Sequence, residues 1–464
     1  MKKQVKFAFI GAGSVSFCPA TITDILKSKR FATVDVEIYL MDILQKPLDI
    51  SYGFCKQITA LFTADKNRKV DIYASTQLEA ALAGADFVIT AIEVDRYHYW
   101  SQDFHIPRRY GFRQVYGENG GPGSMFHTLR NLPPLIHIAK MMEKHCPQAF
   151  MLNYTNPEAK LVQGICQFTN IKAVGLCHGE AMGADQLALF LNIPREDIGY
   201  KSVGLNHFGW FTSIWHKKTG QDLYPALKAA EAQANPLSQW DELALSRMML
   251  RTYGLWPYPG ANHIGEYMAW SDGFLASAAA QYYFDPVKDR PWETRQAPPF
   301  IYSFENFQGP DLFEKPSSEE ENYQEAFAVD MASKDDLEGS GEYGIPIAEA
   351  IFFDQPLEVG SVNVPNNGYA KDLPQGMVIE LPARVDGQGI HPHPTQPLPI
   401  AIASMIATQG AIHQLVLEAY QEKSRNKLLQ AVLLDPTVSS YQNAVAMINE
   451  MCTLQQDILP PLFW

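Results

Sequence analysis

A chain of 464 residues is longer than one ordinary hydrophobic core supports, so two domains are the default expectation. A formal charge of −14, with 37 Lys and Arg scattered among 51 Asp and Glu, argues against a nucleic-acid or anionic-membrane surface, because both need clustered cations. Apolar residues at 46% and aromatic residues at 12% exclude a mainly disordered chain.

After Met1-Lys2-Lys3 the apolar run to Ile10 stops at a glycine turn, too soon for a signal peptide, and no stretch approaches the roughly 18 to 20 apolar residues of a spanning helix. The six cysteines (Cys18, Cys55, Cys146, Cys166, Cys177, Cys452) have no framework spacing. Free thiols and a cytoplasmic protein are the expectation.

Lys6 to Ile10 reads as a strand, Gly11-Ala12-Gly13-Ser14 as a turn, and the spacing of Ile22, Ile25 and Leu26 as a helix. A glycine turn opening a helix lets backbone amides approach a pyrophosphate, although Ser14-Val15-Ser16 stands where a dinucleotide fingerprint has its third glycine. An ordinary tight turn is the alternative. Val36 to Met41 is a second strand ending at Asp42, either an acceptor for ribose hydroxyls, which favours NAD over NADP, or a helix cap. A helix over 46–62 follows, then strands at 70–74 and 86–92 around a short helix at 77–82. Continuous apolar strands alternating with helices predict a parallel sheet.

Residues 93–123 read as a long functional loop carrying Glu93, Arg96, Arg108, Arg109, Arg113 and Glu118. A helix over 124–145, a strand over 149–152 ending at Asn153, a helix to Phe168 and a strand over 171–176 ending at Cys177-His178 come next. After one more helix, strands at 201–205 and 208–216 flank Asn206-His207. From about 217 onward helices at 227–234 and 238–250 mix with Pro/Gly-rich connections, including Gly309-Pro310 and an exposed acidic loop at 315–325. Helices at 346–353 and 398–407, and a set beginning at Gly410, complete an α+β portion. The division expected is 1–200, a nucleotide-binding Rossmann-like domain, and 201–464, an α+β domain for substrate, metal and oligomerisation.

In open parallel sheets ligands bind beyond the carboxyl ends of the strands. Gly11, Asp42, Glu93, Asn153, Cys177 and His207 all fall there on this reading. Cys177 and His207 lack short ligand spacing, and a buried thiol and a packed imidazole are the commoner fates of such residues. Their shared edge favours a borderline divalent ion acting as a Lewis acid.

The set Phe9-Ile10-Gly11-Ala12-Gly13-Ser14, Asn153-Tyr154-Thr155-Asn156-Pro157, Gly175-Leu176-Cys177-His178-Gly179 and Gly204-Leu205-Asn206-His207 resembles glycoside hydrolase family 4, the NAD- and manganese-dependent glycosidases. The likeness spans most of the first half and continues through Tyr253 to Tyr267. It implies an α/β fold similar to lactate and malate dehydrogenases, and assembly as a homodimer or homotetramer. This family is an exception to the two-carboxylate glycosidase scheme. The implied reaction is oxidation at sugar carbon 3 by NAD⁺, loss of the carbon 2 proton with metal support, elimination of the glycosidic oxygen, water addition and re-reduction.

Carried over residue by residue, Cys177 and His207 match the metal ligands and Asn153 a substrate-hydroxyl contact at the cofactor edge. Gly11, Gly13, Ser14, Asp42 and Glu93 are the remaining cofactor candidates. His178 stands where phosphoglycosidase branches carry Asp or Asn, and is the candidate acid on the leaving group. Glu118 matches a Gly-Glu motif, as the holder of a metal-bound water. His263 takes the position of a Tyr base, with Tyr267 behind it. Cys177-His178-Gly179 is similar to the α-glucuronidase and α-galacturonidase branch, for which Arg96 could receive the substrate carboxylate. Neutral α-galactosidases and α-glucosidases also carry Cys-His, which leaves Gly179 as the discriminator. A 2-hydroxy-acid dehydrogenase on the same fold is the rival enzyme class, and a nucleotide-binding regulator the non-catalytic one.

Overall fold

The computed structural model describes residues 4–14, 17–63, 69–233, 243–271 and 337–464. The Gly309-Pro310 connection and the acidic stretch 315–325 lie outside them.

The parallel half follows the sequence. Strands β1 (Gln4–Ile10), β2 (Asp35–Met41), β3 (Val70–Ser75), β4 (Phe87–Thr90), β5 (Phe150–Asn153) and β6 (Lys172–Gly175) pair in parallel in the order β3-β2-β1-β4-β5-β6. Between them run helices α1 (Cys18–Lys27), α2 (Gln45–Thr63), α3 (Leu78–Leu82), α4 (Arg96–Arg109), α5 (Gly121–His145) and α6 (Glu158–Phe168). Apolar residues on both faces of β1 explain its central position. Val5, Phe7 and Phe9 pack into the core on one side, Ala8 and Ile10 into the core on the other. Burial of each Phe contributes about 1.5–3 kcal/mol. The strand order reverses between β1 and β4, and this opens a ligand crevice beyond their carboxyl ends.

The second half is antiparallel and was harder to foresee. Helix α7 (Gly179–Leu191) leads to the hairpin β7 (Ile198–Leu205) and β8 (Phe208–His216), then α8 (Tyr224–Gln233), α9 (Ala244–Tyr253), β9 (Trp256–Tyr258) and α10 (Ala261–Ile264). After α11 (Gly344–Phe353) come β10 (Leu357–Pro365), β11 (Val378–Asp386) and β12 (Gly389–Pro392), three strands that the periodicity did not announce. The sheet continues as β6-β10-β11-β7-β8-β9, with β12 on β11, so one twelve-stranded sheet runs through the described residues. The strands carrying Cys177 and His207 are therefore not neighbours. β10 and β11 lie between them, each touching its flank at one residue pair: Asn363 with Gly175, and Glu380 with Gly204.

Two further expectations are corrected. Residues 93–123 are not one long loop, because α4 occupies Arg96–Arg109. Some of its polar residues bond to neighbouring segments. Asp103 and Arg130 of α5 form an ion pair of 2.7 Å with both side chains fully buried, and Trp100 donates to the Tyr116 carbonyl at 3.2 Å. The second correction concerns 398–407 and the set from Gly410, which merge into one helix, α12 (Ile400–Glu422). Gly410 packs there instead of breaking the helix: a Cβ would lie 2.5 Å from Met377 Sδ. By length and composition this helix is apolar enough to cross a membrane, contrary to the expectation that no stretch is. Its buried residues face α5, α6 and the helix that follows, α13 (Arg425–Leu434), which with α14 (Tyr441–Leu454) closes the chain.

Candidate active site

At the end of β1, Gly11 adopts φ +91°, and a Cβ there would sit 2.2 Å from the Ala91 carbonyl oxygen, so only glycine lets the turn pass β4. The Gly13 N–H donates to Asp42 Oδ2 at 2.8 Å, and the Leu44 N–H to Asp42 Oδ1 at 3.0 Å. Asp42 thus braces the glycine turn and the entry to α2. Ser14 Oγ accepts the Phe17 N–H at 3.3 Å, ahead of α1. The other amides of the turn are engaged within the protein too: those of Gly11 and Ala12 donate to the Met41 carbonyl, that of Ser14 to the Gly11 carbonyl and that of Cys18 to the Ser14 carbonyl.

Beyond β4 a dense polar network begins. Glu93 accepts from His127 Nε2 at 2.8 Å, Asn131 Nδ2 at 3.1 Å and Arg96 Nη1 at 3.3 Å. Burial opposes its ionisation, but His127, Arg96 and Arg130 outweigh that and hold the carboxyl well below the usual range. Arg96 also pairs with Glu118 at 2.8 Å. Burial works against Glu118 too, and Arg96, His127 and His207 together lower it. Arg96 is thus held between two carboxylates. Asn153, fully buried at the end of β5, accepts from Thr90 Oγ1 at 2.8 Å and donates to the Thr155 carbonyl at 3.0 Å.

Despite the two intervening strands, the Cys177 and His207 regions meet. The Asn206 side chain hydrogen-bonds the Cys177 thiol, and the Gly179 N–H donates to the same Sγ at 3.4 Å. Burial, then Glu342 and Glu380, push this thiol well up. His207, at φ +63° in the tight turn between β7 and β8, is driven by burial down to about 4, against the pull of Glu118. It is therefore neutral near pH 7, the form that ligates metals.

The His263 ring stands perpendicular to His207 at 4.3 Å between centroids. Tyr267 is buried instead: its hydroxyl donates to the Asn206 carbonyl at 3.0 Å, and its ring stacks on Phe208. Burial, then Glu266, push that hydroxyl well above its ordinary range, which makes it a poor base beside His263. His178 is half exposed, with Nδ1 2.8 Å from the carboxylate of Glu342, a residue that sequence reasoning missed. The Ser340-Gly341-Glu342 stretch offered only a Gly-rich approach to a helix as a signal.

Glu266 was missed as well, although it lies between His263 and Tyr267. Its Oε2 accepts the N–H groups of Glu118, Asn119 and Gly120 at 2.9, 2.7 and 2.9 Å. Burial and Glu118 push it up to about 7, against the pull of those amides.

A thiol, a neutral imidazole and a buried Asn206 oxygen without a hydrogen-bond partner suit a divalent cation. Among the described residues no group of three or more His, Cys, Asp or Glu is placed to hold a metal, so two protein ligands would leave positions open for substrate and water.

Two family models match the chain, one described as "Family 4 glycosyl hydrolase" over residues 6–193 and one as "Family 4 glycosyl hydrolase C-terminal domain" over residues 202–438. An α-galactosidase of Bacillus subtilis (strain 168) is 30% identical over 461 residues, covering 98% of this chain and 99% of its own. An α-galacturonidase of Thermoanaerobacterium saccharolyticum is 28% identical, covering 97% of this chain and 95% of its own. Among solved structures, a 6-phospho-α-glucosidase from gut microorganisms, in complex with NAD and Mn²⁺, superposes with a TM-score of 0.77 at 19% identity, over 99% of this chain and 100% of that one.

Proposed function

The chain belongs to glycosyl hydrolase family 4, and from that premise we propose that it hydrolyses α-linked glycosides, α-uronides foremost, with NAD⁺ and a divalent metal, Mn²⁺ first. The observation that carries this reading is the convergence of Cys177, His178, Asn206, His207 and His263 beyond the sheet edge that also bears the glycine turn. In this reading 1–200 cradle the nucleotide, and 201–464 complete the metal and substrate side. Cytoplasmic location, a small-molecule substrate without nucleic-acid or membrane partners, and dimeric or tetrameric assembly belong to the same proposal.

Gly11, Gly13 and Ser14 would hold the pyrophosphate, Asp42 the ribose end, and Cys177 and His207 the metal. When bound, the nucleotide supplies a reversible oxidant at sugar carbon 3, and the metal stabilises negative charge on the neighbouring oxygens. The chain's own groups do the rest. In this reading His263, whose ring stands perpendicular to that of His207, takes the carbon 2 proton. In this reading His178, whose Nδ1 lies 2.8 Å from the Glu342 carboxylate, protonates the leaving oxygen. Glu118 is held ionised by Arg96, as the anchor of an attacking water requires. Asn153, bonded to Thr90 and Thr155 at the end of β5, would contact a substrate hydroxyl at the cofactor edge.

The uronide preference is supported by Cys177-His178-Gly179 and by the α-galacturonidase relative. Gly179 has a packing role as well, since a Cβ there would stand 3.1 Å from Pro259 Cβ. A neutral α-galactoside or α-glucoside is the second reading. It is favoured by the engagement of Arg96 with Glu93 and Glu118, two carboxylates that a uronide would have to displace. Aryl α-glucuronide, α-galacturonide, α-glucoside and α-galactoside assayed with NAD⁺ and Mn²⁺ decide between them. Release of aryl alcohol from the uronides is expected, and activity confined to the neutral sugars overturns that preference. Stoichiometric NADH accumulation on a hydroxy acid, without a metal requirement, would replace the glycosidase reading by a dehydrogenase.

A further inference from the structure

Glu266 is completely buried and bonded in an unusual way. One oxygen, Oε2, collects the three successive N–H groups of residues 118–120. Its other oxygen, Oε1, has no hydrogen-bond partner among the described residues and lies 3.7 Å from Nδ1 of His207. The Asn119 side-chain nitrogen, Nδ2, stands 3.0 Å from the same Nδ1. The Asn119 peptide is clamped from both sides, its N–H by Glu266 and its carbonyl by the buried ammonium of Lys160. Gly120 permits the close approach, because a Cβ there would fall 2.6 Å from the Glu266 carbonyl oxygen.

A neutral imidazole carries one N–H and one lone pair. Placed on Nδ1, the hydrogen faces the charge of Glu266 Oε1 across 3.7 Å, beyond hydrogen-bond reach, and with the Asn119 amide turned so that Oδ1 replaces Nδ2 it is accepted by that oxygen. Nε2 then keeps its lone pair for a cation. The opposite tautomer would set a lone pair against a carboxylate oxygen and block Nε2 with a hydrogen. Ligating histidines generally donate their second N–H to a carboxylate or carbonyl, which fixes tautomer and ring orientation.

We propose that Glu266 is a positioning residue of the metal centre: through Oε2 it fixes the 118–120 loop, and through Oε1 it selects the Nδ1–H tautomer of His207. The inference rests on the reading of His207 as a metal ligand. Glu266 itself touches neither the sugar nor the metal in this scheme.

The test is a calorimetric Mn²⁺ titration of the full-length protein after EDTA treatment. Glu266→Gln still offers one oxygen to the three amides but turns a donor toward Nδ1. Mn²⁺ affinity is expected to fall about 10–100-fold, with the thermal unfolding of the metal-free protein unchanged. Asn119→Asp, which can only accept from Nδ1–H, is expected to keep the wild-type affinity. Wild-type Mn²⁺ affinity in folded Glu266→Gln overturns the proposal. If that variant does not fold, ¹⁵N-histidine NMR of the metal-free wild type decides, with His207→Gln identifying the resonance: a hydrogen on Nδ1 supports the proposal and one on Nε2 overturns it. A folded wild-type protein that binds no Mn²⁺ would instead sink the metal reading of Cys177 and His207, a separate result.

Discussion

Two groups of buried acids in this molecule live under opposite rules. At the ligand edge, Glu93 and Glu118 have Arg96 and His127 beside them and stay below the usual carboxylate range despite burial. Against the middle of the sheet, Glu158 of α6, Glu180 of α7 and Glu380 of β11 are more deeply buried than Glu93, and burial wins, lifting all three. Glu158 has another acid, Glu380, as its next-largest influence, and Glu180 is only partly relieved by Tyr200 and Arg195. The space for these carboxyls comes from glycines. A Cβ on Gly175 would lie 1.0 Å from Glu158 Oε1, and one on Gly360 2.2 Å from Glu180 Oε1. Arg96 and His127 outweigh burial at Glu93 and Glu118, whereas Arg130 does not outweigh it at Asp103, whose carboxyl is raised, and Glu266 at the same edge is raised as well.

The comparison can be broken by removing a cation. Arg130, fully buried against Asp103, also lowers Glu93. Arg130→Met is expected to cost about 3–5 kcal/mol in urea unfolding, because it strands a buried carboxylate. A loss under about 1 kcal/mol would mean that the pair contributes little.

Removing an acid from the sheet interior should have the reverse sign. Burial pushes Glu380 up to about 7, above the unfolded value of roughly 4.3. An acid of this kind contributes its full stability below the unfolded value and loses it as pH rises through the folded one. The wild-type protein should therefore lose stability between about pH 4.5 and 7. Glu380→Gln, which can still accept from Ser361, should flatten that slope and be the more stable form at pH 8, by on the order of 3 kcal/mol at most. An unchanged slope would show that Glu380 is ionised in the fold.

A smaller effect sharpens the edge side. Glu342→Gln removes the carboxylate from His178 Nδ1 and is expected to lower kcat about tenfold, some 1.4 kcal/mol, with little change in KM. An equal rise in KM with kcat intact would assign Glu342 to substrate binding instead.

The parallel half was legible because its apolar strands are closed by chemically distinctive residues, among them Gly11, Asp42, Asn153 and Cys177. Helix α4 was not, since it is itself built of Arg, Tyr, Trp and His with Pro107 inside it; its partners Arg130 and Gln455 explain how Asp103 can be buried. Strand β10 was hidden by Gly360, whose absent side chain serves Glu180, and α12 by Gly410, whose absent side chain serves Met377. The site divided the same way. Cys177, His178 and His207 could be read from local motifs, whereas Glu266 acts on amides 146 to 148 residues away and Glu342 on an imidazole 164 residues away. No local pattern encodes such pairings.

The central claim is that the Cys177–His207 edge builds a metal- and nucleotide-dependent glycosidase, and the direct measurement is hydrolysis of an aryl α-glycoside by protein stripped of metal and nucleotide, before and after add-back. The account predicts no turnover in the stripped protein, recovery only when Mn²⁺ and NAD⁺ are both restored, and no recovery in folded Cys177→Ser. Full turnover by the stripped protein, or equal recovery by Cys177→Ser, would contradict it.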